Sequence, residues 1–177
     1  VRSSLLETIQ GRSSWLLINM LTAILASAVI GVFDATIERI VALAVLMPIV
    51  ASMGGNAGTQ TVTVAVRALA LRQIDRDAAA SFVRRELAVA VLNGILFAAL
   101  AAGISFLWFR DTDIAAVMAV AMFANMVVAG LSGTLVPLGL VRAGVDPAVA
   151  SSVFITTITD VVGFFVFLGL AALYLIQ

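Results

Sequence analysis

The chain has 177 residues, of which 63% are apolar and only 11% are charged, and its ten basic and ten acidic residues cancel. Soluble domains carry about 25% charged residues, so this composition indicates a membrane protein and excludes a soluble one. The sequence contains no Cys and no His, which excludes thiol and imidazole chemistry and the ligands that zinc, copper and iron prefer. Any metal ion handled here must accept oxygen ligands, which indicates a hard cation.

The first hydrophobic run follows a short polar lead. Residues 1–14 include Arg2 and Arg12, and the apolar run extends from Trp15 to Phe33. Ala26-Ser27-Ala28 resembles a signal-peptidase site, but the apolar run continues beyond it. We therefore favour a membrane span over a cleaved signal.

Four further runs are each long enough to cross a bilayer as a helix. They cover Ile40–Val66, Leu87–Phe109, Ile114–Val141 and Val149–Ile176, and short polar connections separate them. The sequence therefore predicts an all-α membrane protein, with five transmembrane helices forming one domain over residues 15–177.

Five spans place the two termini on opposite sides of the membrane, and the arginines differ in number between those sides. Eight lie on the side of the N-terminus and two on the other side. The eight are Arg2, Arg12, Arg67, Arg72, Arg76, Arg84, Arg85 and Arg142; the two are Arg39 and Arg110. Because cytoplasmic loops are rich in Lys and Arg, we expect a cytoplasmic N-terminus and an outer C-terminus.

The last run contains a single charged residue, Asp160. Thr156 and Ser152 precede it at helical spacing, so the carboxylate and two hydroxyls share one face of the predicted helix. A carboxylate costs about 2.5–3.5 kcal/mol at the centre of a membrane helix and by default marks an ion path or a proton relay. The alternative is a structural ion pair. We disfavour it because the chain has no Lys and because none of its arginines lies inside a hydrophobic run.

The second run is interrupted by Pro48 and three glycines, Gly54, Gly55 and Gly58. These residues should kink or unwind the helix, or allow another backbone to approach closely. The stretch either forms a packing seam or lines a wet cavity. Asn56 lies at roughly 15 Å and Asp160 at roughly 16–17 Å from the inner ends of their runs, so we expect them at one depth.

Other polar and small residues in the runs are interpreted as packing features. Asn93 and Asn125 are expected to hydrogen bond between helices. Four glycines are expected to make packing contacts, namely Gly94, Gly103, Gly130 and Gly133. No nucleophile–base pair or phosphate-binding loop is present in a credible context, so neither an enzyme nor a nucleic-acid partner is predicted.

Two stretches resemble the MgtE family of magnesium channels. They are the run from Pro48 to Gln60, with its Gly-Gly-Asn-Ala-Gly-Thr-Gln motif, and Thr-Thr-Ile-Thr-Asp ending at Asp160. The similarity extends from Trp15 to the C-terminus. The family usually also carries a cytosolic helical domain, paired CBS domains and a connecting helix. This sequence contains none of these domains, and residues 1–14 would correspond at most to a remnant of the connecting helix.

The resemblance implies a homodimer whose pore lies between the two copies of the second and fifth spans. It also implies that Asp160 is the principal ion-selecting acid, with Asn56, Thr156 and Ser152 nearby. Two copies of Asp160 would match the charge of Mg²⁺, and because that ion dehydrates reluctantly we expect it to bind hydrated.

Three functions remain open at this point. The leading interpretation is a passive, dimeric channel for Mg²⁺ in the lipid bilayer of a bacterial inner membrane. The second is a secondary transporter in which Asp160 exchanges a proton or a sodium ion for a divalent cation. The third is a non-conducting membrane module in which the polar face only holds helices together.

Overall fold

The computed structural model describes residues 5–74 and 76–176, and over these residues it is helical with no strand. Residues 1–4, with Arg2, lie outside the described residues, as does Gln177. The six helices are α1 (Leu5–Gly31), α2 (Asp34–Arg39), α3 (Val41–Ala70), α4 (Arg76–Phe109), α5 (Thr112–Arg142) and α6 (Pro147–Tyr174).

Five of these helices are long and apolar enough to cross a membrane, which confirms the predicted number of spans. The bounds differ most from the hydrophobic runs in three places. Helix α4 begins at Arg76, whereas the predicted run begins at Leu87. Residues 5–14 of the predicted lead are helical and continuous with the first span. The connection after it forms the short helix α2, whose Thr36 is buried.

Helix α5 lies at the centre of the fold and packs against α3, α4 and α6. Its Met118 and Met122 are buried against Leu43 and Leu46 of α3 and Phe167 of α6. Helix α1 packs chiefly against α6, and most of its apolar side chains are exposed. Lipid is as apolar as these side chains, so close packing rather than burial of apolar area has to hold the helices together.

Two helix starts are fixed by aspartate caps. Asp111 Oδ1 accepts hydrogen bonds from the backbone N–H groups of Asp113 (2.8 Å) and Ile114 (3.0 Å) at the start of α5. Asp146 Oδ1 accepts one from the N–H of Ala148 (2.9 Å), and Pro147 occupies the first turn of α6. Each cap satisfies N–H groups that a helix start leaves without partners.

The glycine-rich stretch remains helical, and its glycines allow close approach instead of unwinding the helix. A Cβ atom on Gly54 would overlap the Asn125 side chain, and one on Gly58 would overlap Ile155. Asn125 Nδ2 donates a hydrogen bond to the carbonyl of Val50 (2.9 Å), which confirms the predicted interhelical bond. Of the two predicted outcomes, the packing seam is therefore correct for this face of α3.

Three of the four other glycines predicted to pack do so. A Cβ atom on Gly94 would lie 3.1 Å from the Phe123 ring, one on Gly133 would lie 2.7 Å from Thr61, and one on Gly130 would overlap Ala90. The prediction is wrong for Gly103, because no other described helix comes within 4 Å of a Cβ atom added there.

Candidate metal site

The polar face of α6 has the predicted arrangement. The helix is unbroken from Pro147 to Tyr174, so Ser152, Thr156 and Asp160 succeed each other by one turn on the same face. Ser152 is exposed, and Thr156 and Asp160 are half-buried. The Thr156 hydroxyl donates to the Ser152 carbonyl (3.1 Å), so its oxygen can still accept a hydrogen bond from water.

Asp160 has no partner within the part of the chain that the structure describes. No basic side chain pairs with it, and its carboxylate accepts no hydrogen bond there. A structural ion pair, the alternative weighed from the sequence, is therefore absent from the described residues. Because a carboxylate at this depth is costly, its oxygens require water, a cation or a second chain.

Helix α1 completes the surroundings of Asp160. A cavity of about 270 Å³ is lined by Asn19, Thr22 and Ala23 of α1 together with Thr156, Thr157 and Asp160. A wider cavity of about 660 Å³ shares two of these residues, Asn19 and Thr156, and also reaches Arg12 and Ser152. We refer to the two together as the α1–α6 cavities. Their amide and hydroxyl oxygens suit a hard cation or its hydration water.

Asn19 and Thr22 were not predicted as site residues from the sequence. A signal was present, because Asn19, Thr22 and Ala23 are spaced i, i+3 and i+4 within an otherwise apolar run. This spacing places them on one face of α1, but it does not show which helix that face contacts.

Asn56 lies apart from the other three candidate residues within one chain. It is exposed and its Nδ2 donates to Ser52 Oγ (3.3 Å). It borders a different cavity, of about 250 Å³, whose polar lining is Asn56, Gln60, Thr61, Glu86 and Asn93. We call this the α3–α4 cavity. The structure therefore brings Ser152, Thr156 and Asp160 together on the α1–α6 side and places Asn56 on the α3–α4 side.

The two sides meet at Gly55. A Cβ atom on Gly55 would lie 4.0 Å from Thr156 Cγ2, so α3 and α6 touch at this level. Asn56 is next to Gly55 in the chain and therefore lies level with Thr156. Asp160 lies one turn, about 5–6 Å, further along α6 than Thr156. Asn56 and Asp160 therefore differ in depth by about one turn, whereas one common depth was predicted.

Polar side chains extend along α3 on either side of Gly55. Ser52, Asn56, Thr59 and Thr63 are all exposed and recur at helical spacing. We call these four residues the α3 polar stripe. The hydroxyls of Thr59 and Thr63 donate to carbonyls of their own helix, at 2.8 Å each. A polar stripe exposed at membrane depth is unfavourable against lipid, which indicates that it faces protein or water.

Asn93 does not form the interhelical bond predicted for it. It is exposed, makes no hydrogen bond to the described residues, and lines the α3–α4 cavity. Glu86 lines the same cavity and was missed because it directly follows Arg84 and Arg85 in a polar stretch.

Comparison with known proteins identifies the family to which the sequence belongs. A family model described as a divalent cation transporter, MgtE, matches residues 47–170, which include both the glycine-rich stretch and Asp160. The chain belongs to the MgtE family. The match runs from within the second span to within the fifth, so it includes the regions that the resemblance rested on.

Individual relatives of the MgtE family match over nearly the whole chain. A protein named magnesium transporter MgtE from Thermus thermophilus is 34% identical over 93% of the chain. Proteins of the same name from Bacillus subtilis and Enterococcus faecalis are 29% and 26% identical over 93% and 96% of the chain. The chain spans only 36–38% of the length of these MgtE relatives.

Proposed function

We propose that this multi-pass membrane protein is a passive divalent-cation channel that selects hydrated Mg²⁺ at Asp160. The observation that carries the proposal is an unpaired carboxylate inside a membrane span, bordering cavities lined by amide and hydroxyl oxygens. Mg²⁺ keeps several of its waters and binds through one or two carboxylates. The relatives named magnesium transporters support Mg²⁺ as the ion.

The pore is proposed to lie between two copies of the chain. The α3 polar stripe and the polar face of α6 adjoin at Gly55 and Thr156, and both contain exposed polar side chains. A second copy would remove them from lipid and enclose a polar path. Around a twofold axis the two Asp160 carboxylates supply two negative charges, which equals the charge of one Mg²⁺. Ser152, Thr156 and Asn56 would then accept hydrogen bonds from its water shell.

Substitution of Thr156 should have a smaller effect than loss of the Asp160 charge. Thr156→Val keeps the shape but removes one neutral contact to hydration water from each chain, and each contact is worth about 0.5–1.5 kcal/mol, or up to about tenfold in affinity. Uptake of Mg²⁺ into liposomes containing a magnesium-sensitive dye measures the change. A Thr156→Val loss larger than that of Asp160→Asn would assign selection to the hydroxyl rather than to the charge.

The orientation is proposed from the arginine distribution, with the N-terminus in the cytoplasm of a bacterial cell. A reporter fused after Gln177 should be active outside the cytoplasm, and one inserted between Arg72 and Arg76 should be active inside it. Paired periplasm-active and cytoplasm-active reporters measure this directly. The reverse activities would place the arginine-rich connection outside and contradict the orientation.

A further inference from the structure

The α3–α4 cavity contains a carboxylate to which the proposed pore assigns no role. Its polar residues come from α3 and α4, and its remaining lining is apolar or glycine. Glu86 and Thr61 are half-buried, whereas Asn56, Gln60 and Asn93 are exposed. The carboxylate is therefore borne by a more enclosed residue than the three amides. The cavity shares no lining residue with the α1–α6 cavities.

The charge of Glu86 is not neutralised within this cavity. No basic side chain lines it, and Glu86 has neither an ion pair nor a hydrogen bond with the described residues. Arg85 lines an adjoining cavity that shares only Val64 and Glu86 with this one. A cation in the α3–α4 cavity would therefore meet no basic side chain among its described lining residues. Apolar walls lower the local dielectric and strengthen the attraction of a single carboxylate for it.

The volume of the cavity is sufficient for a hydrated ion. At about 30 Å³ per water, a volume of about 250 Å³ holds about eight waters, and an octahedral magnesium ion with a full shell brings six. The described residues contain no group of three or more acidic residues that could replace those waters. One carboxylate with several retained waters is the usual mode of binding for Mg²⁺.

We propose that the α3–α4 cavity is a second binding site for a hydrated divalent cation. Glu86 supplies the charge, and the oxygens of Gln60, Thr61 and Asn93 accept hydrogen bonds from the ion's waters. Asn56 lines this cavity and also belongs to the α3 polar stripe, so the site adjoins the proposed pore. For the identity of the ion, this proposal rests on the proposed function. Each chain contains its own copy, whereas the Asp160 site is shared by two chains.

The test counts bound Mn²⁺ on the purified full chain, from the EPR signal of the free ion, with Asp160→Asn as the background. We expect that background to retain up to one Mn²⁺ per chain. Adding Glu86→Gln should raise the Kd at least about tenfold, because a charge-assisted contact becomes a neutral one. The matched control adds Glu38→Gln, the same change at an exposed position of α2, and should leave the Kd within about twofold. No Mn²⁺ on the Asp160→Asn protein, or equal binding with and without Glu86, would overturn the proposal.

A second variant covers the case in which Glu86→Gln does not yield a monodisperse protein. Asn93→Leu keeps the carboxylate but removes an oxygen and fills part of the cavity, so it should also weaken Mn²⁺ binding in the Asp160→Asn background. Unchanged binding would overturn the proposal. The proposed function fails separately, since it requires Asp160→Asn in the otherwise unaltered chain to lose Mg²⁺ flux.

Discussion

Asp160→Asn should weaken Mg²⁺ binding at least about tenfold and abolish most of the flux, with the fold unchanged. The amide keeps the size of the side chain but removes the charge, and in the proposed dimer it removes two charges from one site. The variant should fold normally because Asp160 makes no ion pair or hydrogen bond with the described residues that the change would break. Isothermal titration with Mg²⁺, on protein first shown to be monodisperse, measures the affinity.

Two further variants determine whether the lost charge of Asp160 causes the loss of Mg²⁺ binding and flux. Asp160→Glu keeps the charge on a longer side chain, so it should retain part of the binding and flux. Asp113→Asn makes the same carboxylate-to-amide change at an exposed position in the first turn of α5, and should bind Mg²⁺ like the parent. If Asp160→Asn binds and conducts like the parent, Asp160 is not the selecting acid.

Gly54→Ala should destabilise the protein by about 1–3 kcal/mol, the cost of overfilling a well-packed core. The added methyl would overlap the Asn125 side chain, which is buried and held by its hydrogen bond to the Val50 carbonyl. The loss should appear as a lower Tm in detergent, followed by far-ultraviolet circular dichroism.

Gly103→Ala is the matched control for this prediction. It makes the same change in another membrane span, at a glycine where no other helix of the described residues comes within 4 Å of the added methyl. Its Tm should be equal to or above that of the parent, because alanine is favoured over glycine within a helix by about 1 kcal/mol. Equal Tm values for the two variants would show that the seam at Gly54 can relax without cost.

The sequence predicted the spans and the polar face of α6, because both depend on information within one segment. An apolar run long enough to cross the bilayer must be helical there, since lipid cannot satisfy backbone groups. Helical spacing then places Ser152, Thr156 and Asp160 on one face whatever surrounds them.

Contacts between helices were harder to predict, because spacing fixes a face but not its neighbour. Gly94 and Gly103 are both isolated glycines of one run, yet only Gly94 has a neighbouring helix within contact distance of an added side chain. The spacing of the asparagines likewise did not show which neighbour each of them would face. Asn125 hydrogen bonds across to α3, whereas Asn93 faces a cavity, and the placement of Asn56 away from Asp160 depends on how α3 is rotated. That rotation follows from packing against α5.

The most direct test of passive Mg²⁺ conduction is flux into liposomes containing the purified protein, with the membrane voltage fixed by potassium and valinomycin. An inward Mg²⁺ gradient alone should drive uptake that Asp160→Asn abolishes. Imposing a proton or a sodium gradient at the same voltage should leave the rate unchanged. Uptake that begins only when such a gradient is imposed would contradict a channel and identify exchange at Asp160 instead.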